Sequence, residues 1–266
     1  MPSSGEKGPI TESPTVWDPT RLQDPHATAD KHERVRGMFG QIAERYDLNN
    51  RLHSLWRDQA WRRFAVRQAR LGPTDEVLDV ACGTGDLTRA FAEAAPPPRR
   101  VVGLDFTPEM LLVAERKRRS GRGTWPERCS YQQGDAQFLP FPDSSFDVVS
   151  IAFGIRNVAD PRRALREFAR VIRPGGRLIV LEFGVPRLAL VRWFNALYCT
   201  RVMPRTAAWL AGDRSGAYRY LPASVATFPD QVGLAAMMRD ETGWPQVESH
   251  GLSLGICYCH RAIRPQ

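Results

Sequence analysis

VLDVACGTGDL, Val77 to Leu87, is the stretch on which the fold turns. Val77 to Val80 is an apolar run with the length and β-branched content of a buried strand, Gly83 and Gly85 give a tight turn, and Asp86 begins a segment with helical spacing. Strand, glycine turn and helix in that order form the first half of a βαβ unit. In a doubly wound sheet such a turn lies beyond the carboxyl ends of the strands, where ligands bind. It serves either as a plain structural turn or as a cradle through which backbone approaches a ligand, and its neighbours decide between the two.

Outward from this stretch the same alternation repeats. RVVGLDF (100–106), CSYQQGD (129–135), FDVVSIAF (146–153) and GRLIVLEF (176–183) read as strands, separated by helical DLTRAFAEAA (86–95), PEMLLVAERKRR (108–119) and PRRALREFARVI (161–172). The expected class is α/β: a doubly wound, mostly parallel, Rossmann-like sheet. Val35, Met38, Phe39, Ile42 and Tyr46 share one helical face, and a second helix is expected over 60–69. Residues 1–32, rich in Ser, Pro and acids, are expected to form a disordered or loosely attached tail, with the folded domain over 33–266. Within it, 33–70 reads as a helical cap and 187–228 as a lid and substrate-access segment; a helix near 230–242 and strands near 246–249 and 256–261 close the sheet.

Composition bounds the function. With 266 residues and 42% hydrophobic content there is ample material for a core. No stretch reaches the roughly 20 uncharged apolar residues that span a bilayer, and residues 1–22 lack the apolar centre of a signal peptide. The expected location is the cytoplasm. Five cysteines (Cys82, Cys129, Cys199, Cys257, Cys259) without CxxC spacing argue against a disulfide framework or a zinc site, so no metal is expected. The net charge of +8 reflects either an acidic partner or an arginine-biased composition, since only Lys7, Lys31 and Lys117 are lysines. Without paired zinc ligands or an RNA-recognition aromatic pattern, nucleic acid is not an expected partner.

Two neighbours of the turn favour a ligand. Asp105 closes the next strand, 20 residues beyond Gly85, where a carboxylate accepts from both hydroxyls of a ribose. Asp79 precedes the turn, and Thr88 stands where a dinucleotide fingerprint has its third glycine; a carboxylate there repels a pyrophosphate and suits an ammonium or a sulfonium. Ribose, adenine and positive charge together describe S-adenosylmethionine. Asp135, at the end of the third strand, then accepts from the adenine amino group, the Ala136 backbone meets a ring nitrogen and Phe106 packs on the adenine face. Gly83, Thr84 and Gly85 hold the aminoacyl part, with Ala152 ending the fourth strand beside it.

VLDVACGTGDLT, VVGLDFTPEML, GDAQFLPFPDSSFDVVSIAFGIRNV, ALREFARVIRPGGRLIVLEF and YRYLPASVATFPDQVGLAAMM together resemble the ubiquinone/menaquinone biosynthesis C-methyltransferase family, over residues 34–261. The resemblance implies a class I S-adenosylmethionine-dependent methyltransferase that methylates a ring carbon of a polyprenyl quinol and releases S-adenosylhomocysteine. The substrate it implies is 2-demethylmenaquinol, on the way to menaquinol, or the corresponding benzoquinol on the way to ubiquinol; a tail without targeting character fits a bacterium and favours menaquinol. A non-catalytic cofactor-binding scaffold of a quinone-synthesis complex is the alternative from another class. In the N-terminal signature, YDLNNRLHSLWRDQAW keeps Tyr46, Asp47, Asn50, Ser54 and Trp61, but Asn49 replaces the usual methionine and Asp58 the usual histidine. No role of that histidine carries over, and His53 reads as a surface or lid residue.

A quinol ring carbon becomes nucleophilic when a ring hydroxyl loses its proton, and the methyl group must lie in line with it. Arg156 and Asn157 follow directly on the fourth strand. An arginine, with a pKa above about 12, is no free base, so Arg156 is expected to stabilise the developing quinolate and orient a water, with Asn157 bonded to the ring oxygen and Tyr46 and Asp47 closing the site. Each of the four has the alternative of a helix cap or a satisfied buried polar group. Glu182 is either a further acid or base or a lid contact. RLALVRWFNALYCTRVMPRTAAWL, from Arg187, mixes Trp193, Phe194, Tyr198 and Trp209 with Arg192, Arg201 and Arg205. It reads either as a peripheral membrane contact for a lipid-borne substrate or as a helix packed in the core or a homodimer.

Overall fold

The computed structural model describes residues 17, 20–28, 30–202, 206 and 217–266. Strands β1 (Glu76–Val80), β2 (Arg100–Asp105), β3 (Cys129–Gln133), β4 (Phe146–Ala152) and β5 (Ile172–Phe183) run parallel. Strand β7 (Cys257–Ile263) is antiparallel to β5 and to β6 (Val247–Leu252). The order across the sheet is β3-β2-β1-β4-β5-β7-β6, so the chain reverses direction of growth between β1 and β4. That is the switch point at which a crevice opens beyond the strand ends.

Period-two alternation sends neighbours on a strand to opposite faces. Leu78, Val149, Ile151 and Val180 pack against α7 (Pro161–Val171) and α10 (Gln231–Thr242) through Leu165, Phe168 and Met238. Val77, Val148, Ile179 and Leu181 pack against α3 (Arg57–Ala69), α4 (Asp86–Ala92) and α6 (Trp125–Arg128) through Trp61, Phe91 and Trp125. Leu165 and Phe168 are fully buried, each contributing about 2 kcal/mol by removal from water. Helix α7 starts where the sequence requires it: Asp160 accepts the Arg163 N–H at 3.0 Å, and Pro161 occupies the first turn, where its missing N–H costs nothing.

A third cluster covers the crevice. Val35, Met38 and Ile42 of α1 (Lys31–Ile42) meet Met110 and Val113 of α5 (Pro108–Ser120) and Tyr220 of α9 (Ala217–Thr227). The predicted apolar face is present, but it breaks into a 3-10 turn at Ala43–Arg45 before α2 (Tyr46–His53). The expected loose tail is corrected in part. Trp17 is 2% exposed and lies against Tyr220 with the two rings tilted and their centroids 4.4 Å apart, and Lys31 is as deeply buried. Residues 1–16, 18, 19 and 29 of that tail lie outside the described residues, as do 203–205 and 207–216 of the lid, with Arg205 and Trp209 among them. The lid's described parts are α8 (Ala189–Leu197), a π turn at Tyr198–Val202, Thr206 and α9.

Candidate active site

The turn after β1 is held by backbone. Ala81, Gly83 and Gly85 take φ of 51°, 56° and 82°. The Cys82 N–H donates to the Leu104 carbonyl at 3.0 Å, and the Gly83 N–H donates to Asp105 Oδ2 at 2.7 Å. Asp105 Oδ1 accepts the Thr107 N–H at 2.8 Å, so one carboxylate fastens the end of β2 to the turn. Burial pushes this carboxyl above its ordinary range, opposed by the N–H groups it accepts from. The two glycines answer different demands. A Cβ on Gly83 would meet nothing within 4 Å, whereas one on Gly85 would lie 2.2 Å from the Tyr131 hydroxyl. Cys82 is buried beside them, and burial together with Asp105 and Asp79 pushes its thiol well above the ordinary value.

A cavity opens beyond β1 and β4. One wall is backbone and small side chains (Ala81, Gly83, Gly134, Ala136, Ala152), with Asp105, Phe106 and Asp135 along it. Asp135 accepts from the Gln137 N–H at 2.9 Å and from Gln137 Nε2 at 3.1 Å. The cavity is also lined by apolar Val35, Phe39, Met110, Phe153 and Val158, with Tyr46 and Asn157 among its polar groups. His32 rests on Phe106 at 3.7 Å between ring centroids. Phe153 holds φ 57°, and Gly154 is pressed against Ala81. Left-handed non-glycine residues thus sit on both sides of the switch point, where strain tolerated by packing marks functional sites.

Several expected site residues lie behind this wall. Asp79 is 1% exposed and accepts from Thr88 Oγ1 and Ser150 Oγ, each at 2.7 Å. Its carboxylate therefore supports the turn from below rather than facing a ligand's positive charge, and burial pushes it up to about 6. Thr84 and Gly85 are likewise outside the cavity lining: Thr84 Oγ1 donates to Asp47 Oδ1 at 2.5 Å. Asp47 also pairs with Lys117, which bonds Asp86 at 2.7 Å, so Asp47 clamps α2 onto the turn instead of entering the cavity. Asp58, at the position of the family's histidine, is buried against Arg62 at 2.6 Å. His53 Nδ1 lies 3.0 Å from the Tyr198 hydroxyl, joining α2 to the lid.

Arg156 requires the largest correction. It is 4% exposed and absent from the cavity wall; its Nη1 donates to Glu182 Oε1 at 2.6 Å and to the Phe153 carbonyl at 2.8 Å, and its plane lies over Phe183. Glu182 also accepts the Phe183 N–H at 2.8 Å, while its Oε2 has no hydrogen-bond partner among the described residues. Burial raises the Glu182 carboxyl and Arg156 opposes the rise. Asn157 does line the cavity: its Nδ2 donates to the Phe153 carbonyl at 3.1 Å and its Oδ1 accepts from the Tyr220 hydroxyl at 2.9 Å. Sequence reasoning missed Ala81, Phe153 and Tyr220. Only Tyr220 left a signal, inside the quoted YLPAS run.

The sequence pattern of the ubiE/COQ5 methyltransferase family matches residues 27–264. The chain belongs to that family. It is 41% identical over 231 residues to the ubiquinone/menaquinone biosynthesis C-methyltransferase UbiE of Geobacter sp. (strain M21), covering 87% of this chain and 96% of that protein. It is 45% identical over 227 residues to the demethylmenaquinone methyltransferase of Deinococcus radiodurans, covering 85% and 91%. Among solved structures, its fold is similar to that of a Thermotoga maritima S-adenosylmethionine-dependent methyltransferase, with a TM-score of 0.58 and 20% identity over 86% of this chain and 99% of that one. The fold is the class I Rossmann-like arrangement and the cofactor is S-adenosylmethionine. The crevice fits it: the space over Gly83 is space a Cβ would fill, and two carboxylates lie along the same wall.

Proposed function

We propose that the chain transfers a methyl group from S-adenosylmethionine to a ring carbon of a polyprenyl quinol, with 2-demethylmenaquinol as substrate and the benzoquinol precursor of ubiquinol as the second reading. The relatives' names support both. The observation that carries the proposal is one cavity lined both by backbone and small residues with Asp105 and Asp135 and by apolar side chains with Asn157 and Tyr46. The cofactor supplies an electrophilic methyl group on a sulfonium. Asp105 keeps lone pairs for the ribose hydroxyls beyond those engaged by Gly83 and Thr107, Asp135 and the Ala136 backbone meet the adenine beside Phe106, and Gly83 and Ala152 flank the aminoacyl part.

On the other wall, one hydrogen of Asn157 Nδ2 is spent on Phe153 and the second is free to meet a ring oxygen. Tyr46, whose phenol burial holds above its ordinary value, stays protonated as a second donor. Val35, Phe39 and Met110 exclude water, which strengthens both contacts. Arg156, one residue away, stays paired with Glu182 behind the site and holds the Phe153 carbonyl that Asn157 also meets, and Asp47 with Thr84, Gly85 and Asp79 keeps the turn and cap in place. We assign residues 33–70 to the cap and 187–228 to substrate access. Leu190 and Trp193 of α8 are 67% and 58% exposed beside Arg192 and Arg201, which supports contact with an anionic bilayer.

Labelled S-adenosylmethionine with reduced demethylmenaquinone is expected to give a product one methyl group heavier, faster than a matched benzoquinol. Equal turnover removes the preference, and no transfer to either ends the proposal. In the same assay with liposomes, Arg192→Gln with Arg201→Gln is expected to raise KM for a long-tailed quinol more than for a short-tailed one at low salt. An equal rise together with lost dimerisation identifies a protein interface instead.

A further inference from the structure

The YLPAS run places Tyr220 and Ser224 four residues apart, on one face of α9. The pair meets two consecutive residues of the loop after β4. The Tyr220 hydroxyl donates to Asn157 Oδ1 at 2.9 Å, and Arg156 Nε makes a long contact of 3.4 Å to Ser224 Oγ. Tyr220 and Ser224 are 1% and 0% exposed. Resting on the reading of Asn157 as a substrate-facing donor, we propose that Tyr220 is a positioning residue: the Phe153 carbonyl, which only accepts, selects the amide orientation, and the Tyr220 hydroxyl holds the amide there by its Oδ1, so that the second hydrogen of Nδ2 is presented to the ring oxygen.

An asparagine amide has two orientations that differ only in where its donor and its acceptor lie. Here both ends are assigned. Nδ2 has the Phe153 carbonyl, which cannot donate, and Oδ1 has a phenol that must donate, because Asn157 Oδ1 has no hydrogen to give. Reversing the amide would set Nδ2 against the phenol and Oδ1 against a carbonyl oxygen. The phenol can keep this role across the working range, since burial pushes it up to about 12. Helix α9 is itself held from the far side. His26 Nε2 bonds the Ser224 carbonyl at 2.9 Å, its Nδ1 lies 3.1 Å from Lys31 Nζ, and the Trp17 ring covers Tyr220. The N-terminal segment therefore reaches Asn157 through Tyr220 without touching the cavity there.

Tyr220→Phe keeps the ring against Trp17 and removes only the donor. We expect kcat for demethylmenaquinol to fall about tenfold with S-adenosylmethionine affinity unchanged, as for one lost hydrogen bond in the transition state. In an Asn157→Ala background the same change is expected to do nothing further to kcat, because the two act as one unit. Wild-type kcat in Tyr220→Phe, or an equal fall in both backgrounds, overturns the positioning role. An Asn157→Ala enzyme with full turnover instead overturns the substrate-facing reading, and the positioning role with it. Should Tyr220→Phe lose its fold by circular dichroism, the Tyr220 hydroxyl proton in the intact enzyme decides: a slowly exchanging resonance close to the Asn157 side chain is expected, and a hydroxyl in fast exchange with water overturns the proposal.

Discussion

The two walls of the cavity are built by different means. On the side we assign to the cofactor the chain presents backbone and small residues, and the carboxylate of Asp105 is tied to N–H groups of the neighbouring turns. On the side we assign to the substrate polar side chains hold one another, Asn157 with Tyr220 and, behind them, Arg156 with Glu182. A site made from backbone is fixed by the local fold and resists change by almost any distant substitution. A site made from paired side chains depends on segments far apart in the chain, and each member is worth most while its partner is present. The first suits a ligand that every member of a fold class shares, the second a substrate that must be told from others.

The difference can be broken most severely at Arg156. Arg156→Met leaves the Glu182 carboxylate buried without its counter-charge and is expected to lower stability by about 3–5 kcal/mol. Adding Glu182→Leu should recover most of that loss, as read from denaturant midpoints. Unchanged stability in the single variant would mean that the ion pair is not structural and that Arg156 is free for chemistry. On the cofactor side the glycines should part company. Gly85→Ala, driven into Tyr131 at a left-handed φ, is expected to cost about 3 kcal/mol of stability with little direct effect on the cofactor. Gly83→Ala should cost about 1–2 kcal/mol for its φ alone, and weaken S-adenosylmethionine binding by calorimetry because its methyl group enters the cavity. Equal affinities in the two variants would erase the distinction.

The smallest effect is a slope with pH. Asp79 has its folded pKa raised to about 6 from an ordinary 3.8, so between those values the native state holds a proton that the unfolded chain has released. Stability from this group is complete below 3.8 and is lost as pH rises through about 6, by up to about 1.4 kcal/mol per pH unit. Asp79→Asn is expected to remove that part of the slope, and a wild-type slope in the variant would show that the carboxyl is ionised throughout.

The same division explains what could be read from the sequence. All seven strands, the glycine turn and the positions of Asp105 and Asp135 are short-range patterns: an alternating or continuous apolar run, a glycine pair, an acid at a strand end. The reason for Gly85 was not legible, because it lies in Tyr131, a residue of the sheet-edge strand β3. Nor was the pairing of Asn157 with Tyr220 across 63 residues, or the fate of Arg156, whose place after β4 fits a cation facing the crevice as well as one turned behind it. Ala81 and Phe153 carry left-handed backbone with no sequence mark, at the place where the two turns pack closely through Gly154.

Cys82 carries a consequence for chemical probes. It lies in the cofactor turn and looks like a natural anchor for a covalent inhibitor aimed at the crevice. Yet its sulfur is turned toward the Gly83 carbonyl at 3.8 Å, is buried, and is held as a thiol by two neighbouring carboxylates, while electrophiles react with thiolates. Cys199, half-buried on the lid, is the more reachable sulfur, although burial raises its thiol too. Selective alkylation of this enzyme would therefore label the door before it labelled the room.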